Sequence, residues 1–166
     1  MAVLMGIPVS ILLVLIQTVV MGSIKLLSGT ADVVLLALIA WAIHERVTTA
    51  WEWAIIFGVL VSLVSGLPFM IPLVGYLGIT GIAQMLHRRI WQTPILAMFV
   101  VTALGTIIQH GLSIFALQFS GSPLDWQEAL SLVTLPSMVL NLMLALPVYI
   151  LITDLANWLH PVEIET

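Results

Sequence analysis

The side chains that could do chemistry in this chain are few, and most lie inside long apolar stretches. His110 is the only titratable residue clearly within such a stretch, and Gln17, Gln109 and Asn141 are uncharged polar residues in the same setting. Polar groups inside a bilayer bond to neighbouring helices or mark a pocket or pathway, because burying them unsatisfied is unfavourable. Two interpretations therefore stand for these four residues: hydrogen bonds between helices, or the walls of a small cavity. For His110 a ligand or proton relay is a further alternative.

Catalytic motifs are incomplete wherever they begin. His44-Glu45 starts like the zinc motif H-E-x-x-H, but Thr48 stands where the second histidine belongs. Ser65 precedes Gly66 without the G-x-S-x-G frame of a nucleophile elbow. Cysteine is absent, which removes thiolate metal ligands and cysteine nucleophiles. The sequence therefore predicts no catalytic residues, no metal and no cofactor.

Composition places these residues in a lipid environment. Of the 166 residues 61% are hydrophobic and 7% are charged, and the mean hydropathy is +1.22. A soluble domain of this length cannot bury that much apolar surface. The net charge of −4, with only four Lys and Arg, gives no indication of nucleic-acid binding. We therefore expect an all-α integral membrane protein with a single transmembrane domain in the lipid bilayer.

About 20 apolar residues span a bilayer, so the chain has room for six helices. The first apolar stretch lacks a basic segment before it and is interpreted as a retained helix rather than a signal peptide. The second is short, and we expect it to lean on its neighbours, thin the bilayer or re-enter. The expected transmembrane spans are 6–24, 30–43, 51–65, 69–86, 93–119 and 126–152.

Acidic residues and prolines mark helix ends and interruptions. Asp32 and Asp125 stand where a carboxylate accepts N–H bonds at a helix start. Glu128, three residues after Asp125, resembles the partner in a capping box. Pro136 and Pro147 interrupt the last helix. We expect structural roles for all five residues.

Basic residues predict the orientation. Arg46, Arg88 and Arg89 fall in the second and fourth loops, whereas Lys25 falls in the first. Cytoplasmic loops carry the excess of Lys and Arg. The even-numbered loops, and with them both termini, are therefore expected in the cytoplasm.

Small residues recur regularly in the central pair of apolar stretches. They are spaced by four on the first arm and by three on the second, so each set shares one helical face. Such residues let helix backbones approach closely in a membrane. We expect packing inside the protein or against a partner at Gly58, Ser62 and Gly66, and at Gly75, Gly78 and Gly81.

A series of short motifs runs in one order across nearly the whole chain. It comprises Leu15-Ile16-Gln17-Thr18, residues 29–36, residues 58–69, Pro123-Leu124-Asp125-Trp126, Leu135-Pro136, Asn141-Leu142 and Pro147-Val148-Tyr149. Together these motifs resemble the family of the rod shape-determining protein MreD. The chain departs from the family where Ser62 replaces an acidic residue of many relatives, and where Ala31 replaces a proline. The first departure removes any role for a carboxylate in that hairpin.

The resemblance implies a six-helix, non-catalytic protein of the bacterial cytoplasmic membrane. Members of the family belong to the cell-elongation machinery, which controls peptidoglycan synthesis and cell shape. The implied partner is MreC, through its transmembrane helix and the adjacent extracytoplasmic segment. Through MreC the family joins the glycosyltransferase RodA, its transpeptidase, RodZ and the filament MreB.

The family is also similar in architecture to the S component of energy-coupling-factor transporters, so a second function stands as the alternative. An S component binds a small, vitamin-type substrate. It typically docks its energising partner through alanines four residues apart on helix one. The first helix here has no such pair in Ile7-Pro8-Val9-Ser10 or the residues that follow, which favours the scaffold.

Overall fold

The computed structural model describes residues 2–89, 93–121 and 125–160, and these residues are mostly helical. The predicted turn at Pro123-Leu124 and the end of the acidic tail, residues 161–166, lie outside the described residues. Six helices follow one another in this part of the chain. They are α1 Ala2–Val19, α2 Val33–Ile43, α3 Ala50–Val64, α4 Met70–Arg89, α5 Pro94–Phe119 and α6 Trp126–Leu159.

Four of the helical segments in the described part of the chain are long and apolar enough to cross a membrane. They are Val3–Ser23, Met70–His87, Pro94–Phe119 and Trp126–Leu159. α2 has 11 residues and α3 has 15, so both are shorter than the usual span of about 20 residues. The architecture is compatible with a multi-pass membrane protein.

The segment between α1 and α2 differs from the predicted boundaries. α1 was expected to reach residue 24, but it ends at Val19, and the chain makes a 3₁₀ turn at Met21–Ser23. The short strand Lys25–Leu26 (β1) then pairs antiparallel with Gly29–Thr30 (β2). α2 begins at residue 33 rather than 30 because these strands occupy the residues before it. The sequence carried no alternating pattern that would have predicted this hairpin.

The last helix is longer than predicted and irregular near its start. It continues past the expected end at residue 152 to Leu159. The interior Pro147 does not end it, because membrane helices tolerate such prolines. The segment Ala129–Thr134 is π-helical. It lies immediately before Pro136, whose ring would crowd the carbonyl of Leu132 in a regular α-helix and which has no N–H to donate to it.

The short α2 forms the centre of the bundle. All of its eleven residues are buried, and it contacts α1, α3, α4, α5 and α6. A helix that is apolar on every side is buried on every side. Its last turn carries Trp41, which is buried and stacks on the buried Trp53 with ring centroids 3.8 Å apart.

Candidate functional site at the buried start of the central helix

The length of α2 creates a hydrogen-bonding problem at its first turn. Eleven residues rise about 16 Å, roughly half the hydrocarbon thickness of a bilayer. The helix therefore begins inside the bundle rather than at its surface. The first N–H groups of any helix have no partner within the helix, and lipid offers none. Side chains from the surrounding helices must supply the acceptors.

Gln17, near the end of α1, forms two hydrogen bonds with the backbone that leads into α2. Its Oε1 accepts from the Val33 N–H at 2.8 Å, and its Nε2 donates to the Ala31 carbonyl at 2.7 Å. One amide thus satisfies a donor and an acceptor two residues apart. Gln17, predicted either to bond between helices or to line a cavity, joins α1 to α2 in the structure.

Asp32 is the N-cap of α2 and links it to α4. Its Oδ1 accepts from the Leu35 N–H at 2.9 Å. The hydroxyl of the buried Tyr76 donates to Oδ2 at 3.2 Å. The carboxylate therefore bonds to the helix that it caps and to a neighbouring helix. The predicted cap is present, and the bond from Tyr76 adds a tertiary contact to it.

Asn141 connects the same turn to α5 and α6. Its side chain is fully buried. Oδ1 accepts from the Asp32 N–H at 2.7 Å, and Nδ2 donates to the Thr106 hydroxyl at 2.9 Å. The Thr106 hydroxyl donates in turn to the Thr102 carbonyl at 2.8 Å. Every polar atom of the Asn141 side chain thus has a partner.

The β-hairpin packs against the π-helical part of α6 and the residues that follow it. The Ser28 N–H donates to the Leu132 carbonyl at 3.0 Å. In a regular α-helix residue 136 would donate to this carbonyl, but Pro136 has no N–H. The Thr30 N–H donates to the Ser137 hydroxyl at 3.0 Å. Between these bonds the two backbones almost touch. A β carbon at Gly29 would lie 2.6 Å from the Ser137 nitrogen, so glycine is required there.

These contacts define what the site can do. Five side chains bond to one another, to Thr106 or to the backbone at the start of α2: Gln17, Asp32, Tyr76, Ser137 and Asn141. Such a fully bonded network holds a helix end in place. Among the described residues, no group of three or more His, Asp or Glu could hold a metal ion. The arrangement is a structural link by hydrogen bonds among five helices, α1, α2, α4, α5 and α6.

Gln109 and His110 lie apart from this network. The Gln109 side chain packs against Gly75, where a β carbon would collide with its amide, and its Oε1 has no hydrogen-bond partner. His110 lines a cavity of about 350 Å³ between α5 and the π-helical turn of α6, together with Ser113. Gln17 and Asn141 line neither this cavity nor the second one described below.

The small residues of the central hairpin divide into two groups. A β carbon at Gly58 would lie 2.8 Å from Leu73, one at Gly75 would meet Gln109, and one at Gly81 would lie 3.3 Å from Trp51. Ser62 is buried and donates to the Phe69 carbonyl at 2.7 Å, which closes the turn between α3 and α4.

Two of the small residues make no packing contact inside the protein. At Gly66 and Gly78 a β carbon would meet nothing within 4 Å. The regular spacing places these residues in line with the packed ones, but Gly66 lies beyond the end of α3 and Gly78 is on the outward face of α4. The chain itself therefore leaves them open. Contact with a partner there stays a prediction.

The remaining predicted caps and turns fall in α6. Asp125 caps the helix by accepting from the Gln127 N–H at 2.8 Å. Glu128 is exposed and lines the 350 Å³ cavity. Pro136 lies next to the π-helical segment, whereas Pro147 is inside the regular helix. Both prolines interrupt the hydrogen-bond ladder without ending the helix.

Sequence reasoning missed several residues of the site, namely Gly29 as a contact, Tyr76, Thr106 and Ser137. Their partners are up to 107 residues away in the chain, so no local pattern identifies them. One signal was available on α5. Thr102, Thr106, Gln109 and Ser113 recur at helical spacing and form one polar stripe.

Comparisons with known protein families, with curated proteins and with solved structures found no match to this chain. The fold and the site define a class of protein: a helical bundle suited to a membrane, built around a short buried helix whose start is held by side chains.

Proposed function

We propose that this chain is a non-catalytic scaffold of the rod-shape machinery in the bacterial cytoplasmic membrane. In this proposal all six helices traverse or enter the bilayer, both termini are cytoplasmic, and the bound partner is the single-span protein MreC. RodA, its transpeptidase, RodZ and MreB associate through it. The family assignment rests on the motifs that resemble MreD.

The observation that carries a scaffold function is the division of the small residues. The polar residues at the start of α2 are engaged in holding the bundle together. By contrast, the outward face of α4 has Gly78 flanked by the exposed side chains of Met70, Val74 and Met85. A glycine open on a membrane-facing helix allows the backbone of a second helix to approach closely. The transmembrane helix of MreC is the partner proposed for this face.

The test is co-purification with MreC in mild detergent. MreC lacking its soluble domain should be captured, and MreC lacking its transmembrane helix should not. Gly78→Leu should reduce capture about tenfold or more, because a large side chain keeps the helices apart. Its thermal unfolding should stay unchanged, since the position has no internal neighbour.

Gly58→Leu is the matched comparison. It introduces the same side chain where Leu73 already occupies the space, so it should lower stability by about 1–3 kcal/mol. Normal capture by Gly78→Leu, or capture that needs only the soluble domain of MreC, would reject the proposed face.

The cavity beside His110 supports a second candidate function, a small-molecule binding subunit. Its volume is about 350 Å³, and Ser28, Ser113 and Glu128 join His110 among apolar side chains. Pockets of this size and character hold small ligands. Mass spectrometry of the purified chain decides between the functions. A retained small molecule that is lost in His110→Leu, together with failure to capture MreC, would favour the second candidate.

A further inference from the structure

A second cavity, at the opposite end of α2, has a composition that neither proposed function uses. Its volume is about 230 Å³. It lies between the loop after α2, the start of α5 and the last turns of α6. Six of its eight lining residues are polar or charged, whereas most residues that line the cavity beside His110 are apolar or small. The lining residues are Ile43, His44, Glu45, Arg46, Pro94, Tyr149, Thr153 and Asn157.

α6 presents a polar stripe to this cavity. Tyr149, Thr153 and Asn157 are spaced by four and therefore share one face of the last part of α6. A regular pattern of polar residues near the end of a membrane helix indicates a polar environment on that side. The stripe faces the loop that carries Arg46, whose Nη1 lies 3.5 Å from the Asn157 Oδ1.

The Thr153 hydroxyl is the most informative group in the stripe. It is buried and has no hydrogen-bond partner. The helical hydroxyls of Thr80 and Thr106, by contrast, donate to the carbonyl four residues earlier at 2.8 Å. A buried hydroxyl without a partner is unfavourable unless something else bonds to it. The position at the cavity wall makes a ligand the natural partner.

The charges of the wall identify the ligand chemistry. The planar guanidinium of Arg46 suits hydrogen bonding to a phosphate, and the negative charge of Glu45 suits an ammonium group. Burial lowers the pKa of His44, so its ring is neutral at pH 7 and adds no charge. The two charged groups therefore match a ligand that bears one phosphate and one ammonium.

Size and surroundings place the rest of the ligand outside the cavity. A volume of about 230 Å³ is below the 300–1,000 Å³ of typical ligand pockets, so it admits a head group only. Apolar side chains beside the cavity are exposed on both flanking helices, at Ile95 and Leu96 on α5 and at Leu146 and Ile150 on α6. These side chains offer a surface for acyl chains.

We propose that this cavity binds the head group of an aminophospholipid, with Arg46, Thr153 and Asn157 on the phosphate and Glu45 on the amine. Head-group pockets between membrane helices at the bilayer surface are a known form of lipid recognition. The site is independent of the proposed partner and of the cavity beside His110.

The experiment is native mass spectrometry of the full chain in a neutral maltoside detergent, titrated with palmitoyl-oleoyl phosphatidylethanolamine. Arg46→Gln should weaken binding about tenfold, because a charge-assisted bond is lost. Thr153→Val should weaken it about fivefold, the effect of one neutral bond. Glu45→Gln should reduce the preference for phosphatidylethanolamine over phosphatidylglycerol.

Two matched variants serve as controls. Lys25→Gln removes a positive charge from the hairpin, and Thr18→Val removes an exposed hydroxyl that bonds to its own helix. Both should bind the lipid as the wild type does. Thr153→Val should keep the wild-type melting temperature because its hydroxyl bonds to nothing in the protein, so it tests the site even if Arg46→Gln is unstable.

Two results would overturn the proposal. The first is unchanged lipid affinity in both Thr153→Val and Glu45→Gln, or an equal loss in the two controls. The second is displacement of the lipid by inorganic phosphate at equal concentration, which would assign the site to free phosphate rather than to a lipid.

Discussion

Replacing Asn141 by leucine tests whether side chains hold the start of the central helix. The substitution removes the bond from the Asp32 N–H and the bond to the Thr106 hydroxyl, at 2.7 and 2.9 Å. It leaves the Asp32 N–H buried with no acceptor from this side chain. Leucine has no hydrogen-bonding group, so the substitution removes both bonds at once.

The magnitude follows from those two bonds and the orphaned donor. Polar pairs between membrane helices contribute about 0.6 kcal/mol on average and up to about 1.7. A buried donor left without a partner costs about 1–3 kcal/mol. We therefore expect Asn141→Leu to lower the free energy of unfolding by about 2–4 kcal/mol, which is about a thirtyfold to a thousandfold change in the folded-to-unfolded ratio.

The assay is reversible unfolding of the purified chain by dodecyl sulfate in mixed micelles, followed by tryptophan fluorescence. A double-mutant cycle with Thr106→Val isolates the Asn141–Thr106 bond, for which a coupling energy of about 0.5–1.5 kcal/mol is expected. Thr18→Val removes an exposed hydroxyl of α1 and should change stability by less than about 0.5 kcal/mol.

The reasoning would be refuted by a particular result. If Asn141→Leu changed stability by less than about 0.5 kcal/mol or raised it, the Asp32 N–H would not depend on this side chain. Zero coupling with Thr106→Val would separately remove the link between α5 and α6.

Three further predictions concern the hairpin and the end of α2 near His44. Gly29→Ala should lower stability by about 1–3 kcal/mol because the new methyl group meets the α6 backbone. Gly111→Ala, which has open space around it on α5, should raise stability by about 0.5–1 kcal/mol. Equal effects of the two variants in unfolding titrations would contradict the close packing of Gly29 against α6. Leu27→Gly should raise stability by about 1 kcal/mol, since Leu27 has a φ of 55°, a backbone conformation that residues with a side chain disfavour. A loss of stability in the same titration would show that contacts of the leucine outweigh this backbone strain. Burial lowers the pKa of His44 below its ordinary value of 6.5. The unfolded chain therefore binds the proton more readily, and stability falls as the pH drops below about 6.5. This decline between pH 7.5 and 5 should be smaller in His44→Gln, and identical pH profiles for the two proteins would exclude the contribution of His44.

Local pattern predicted the helices well where each is long and apolar. The predicted segments Thr93–Phe119 and Phe69–Leu86 agree with α5 and α4 to within three residues. The pattern failed between Val20 and Asp32, because the hairpin there is stabilised by contacts with α6 rather than by its own residue types. It also ended the last helix at residue 152, whereas that helix continues to Leu159.

The candidate site was predictable only in its parts. The polar residues Gln17, Asp32 and Asn141 were identified because they are conspicuous in apolar stretches. The backbone at the start of α2, to which all three side chains bond, was not identified. Its need for partners depends on how deep inside the bundle the short helix begins. The spacing of Gly58, Gly66 and Gly78 likewise gave one expectation for residues that the structure separates into packed and open positions.

The sequence by itself determined the class of structure. A composition of 61% hydrophobic and 7% charged residues indicates a membrane protein. Apolar stretches in lipid are expected to be helical, because helices satisfy their own backbone groups there. Tertiary structure alone decided that α2 is the buried centre and that its first turn lies inside the bundle. That choice creates unpaired N–H groups, and only packing brings Gln17, Tyr76 and Asn141 from three other helices to the same turn.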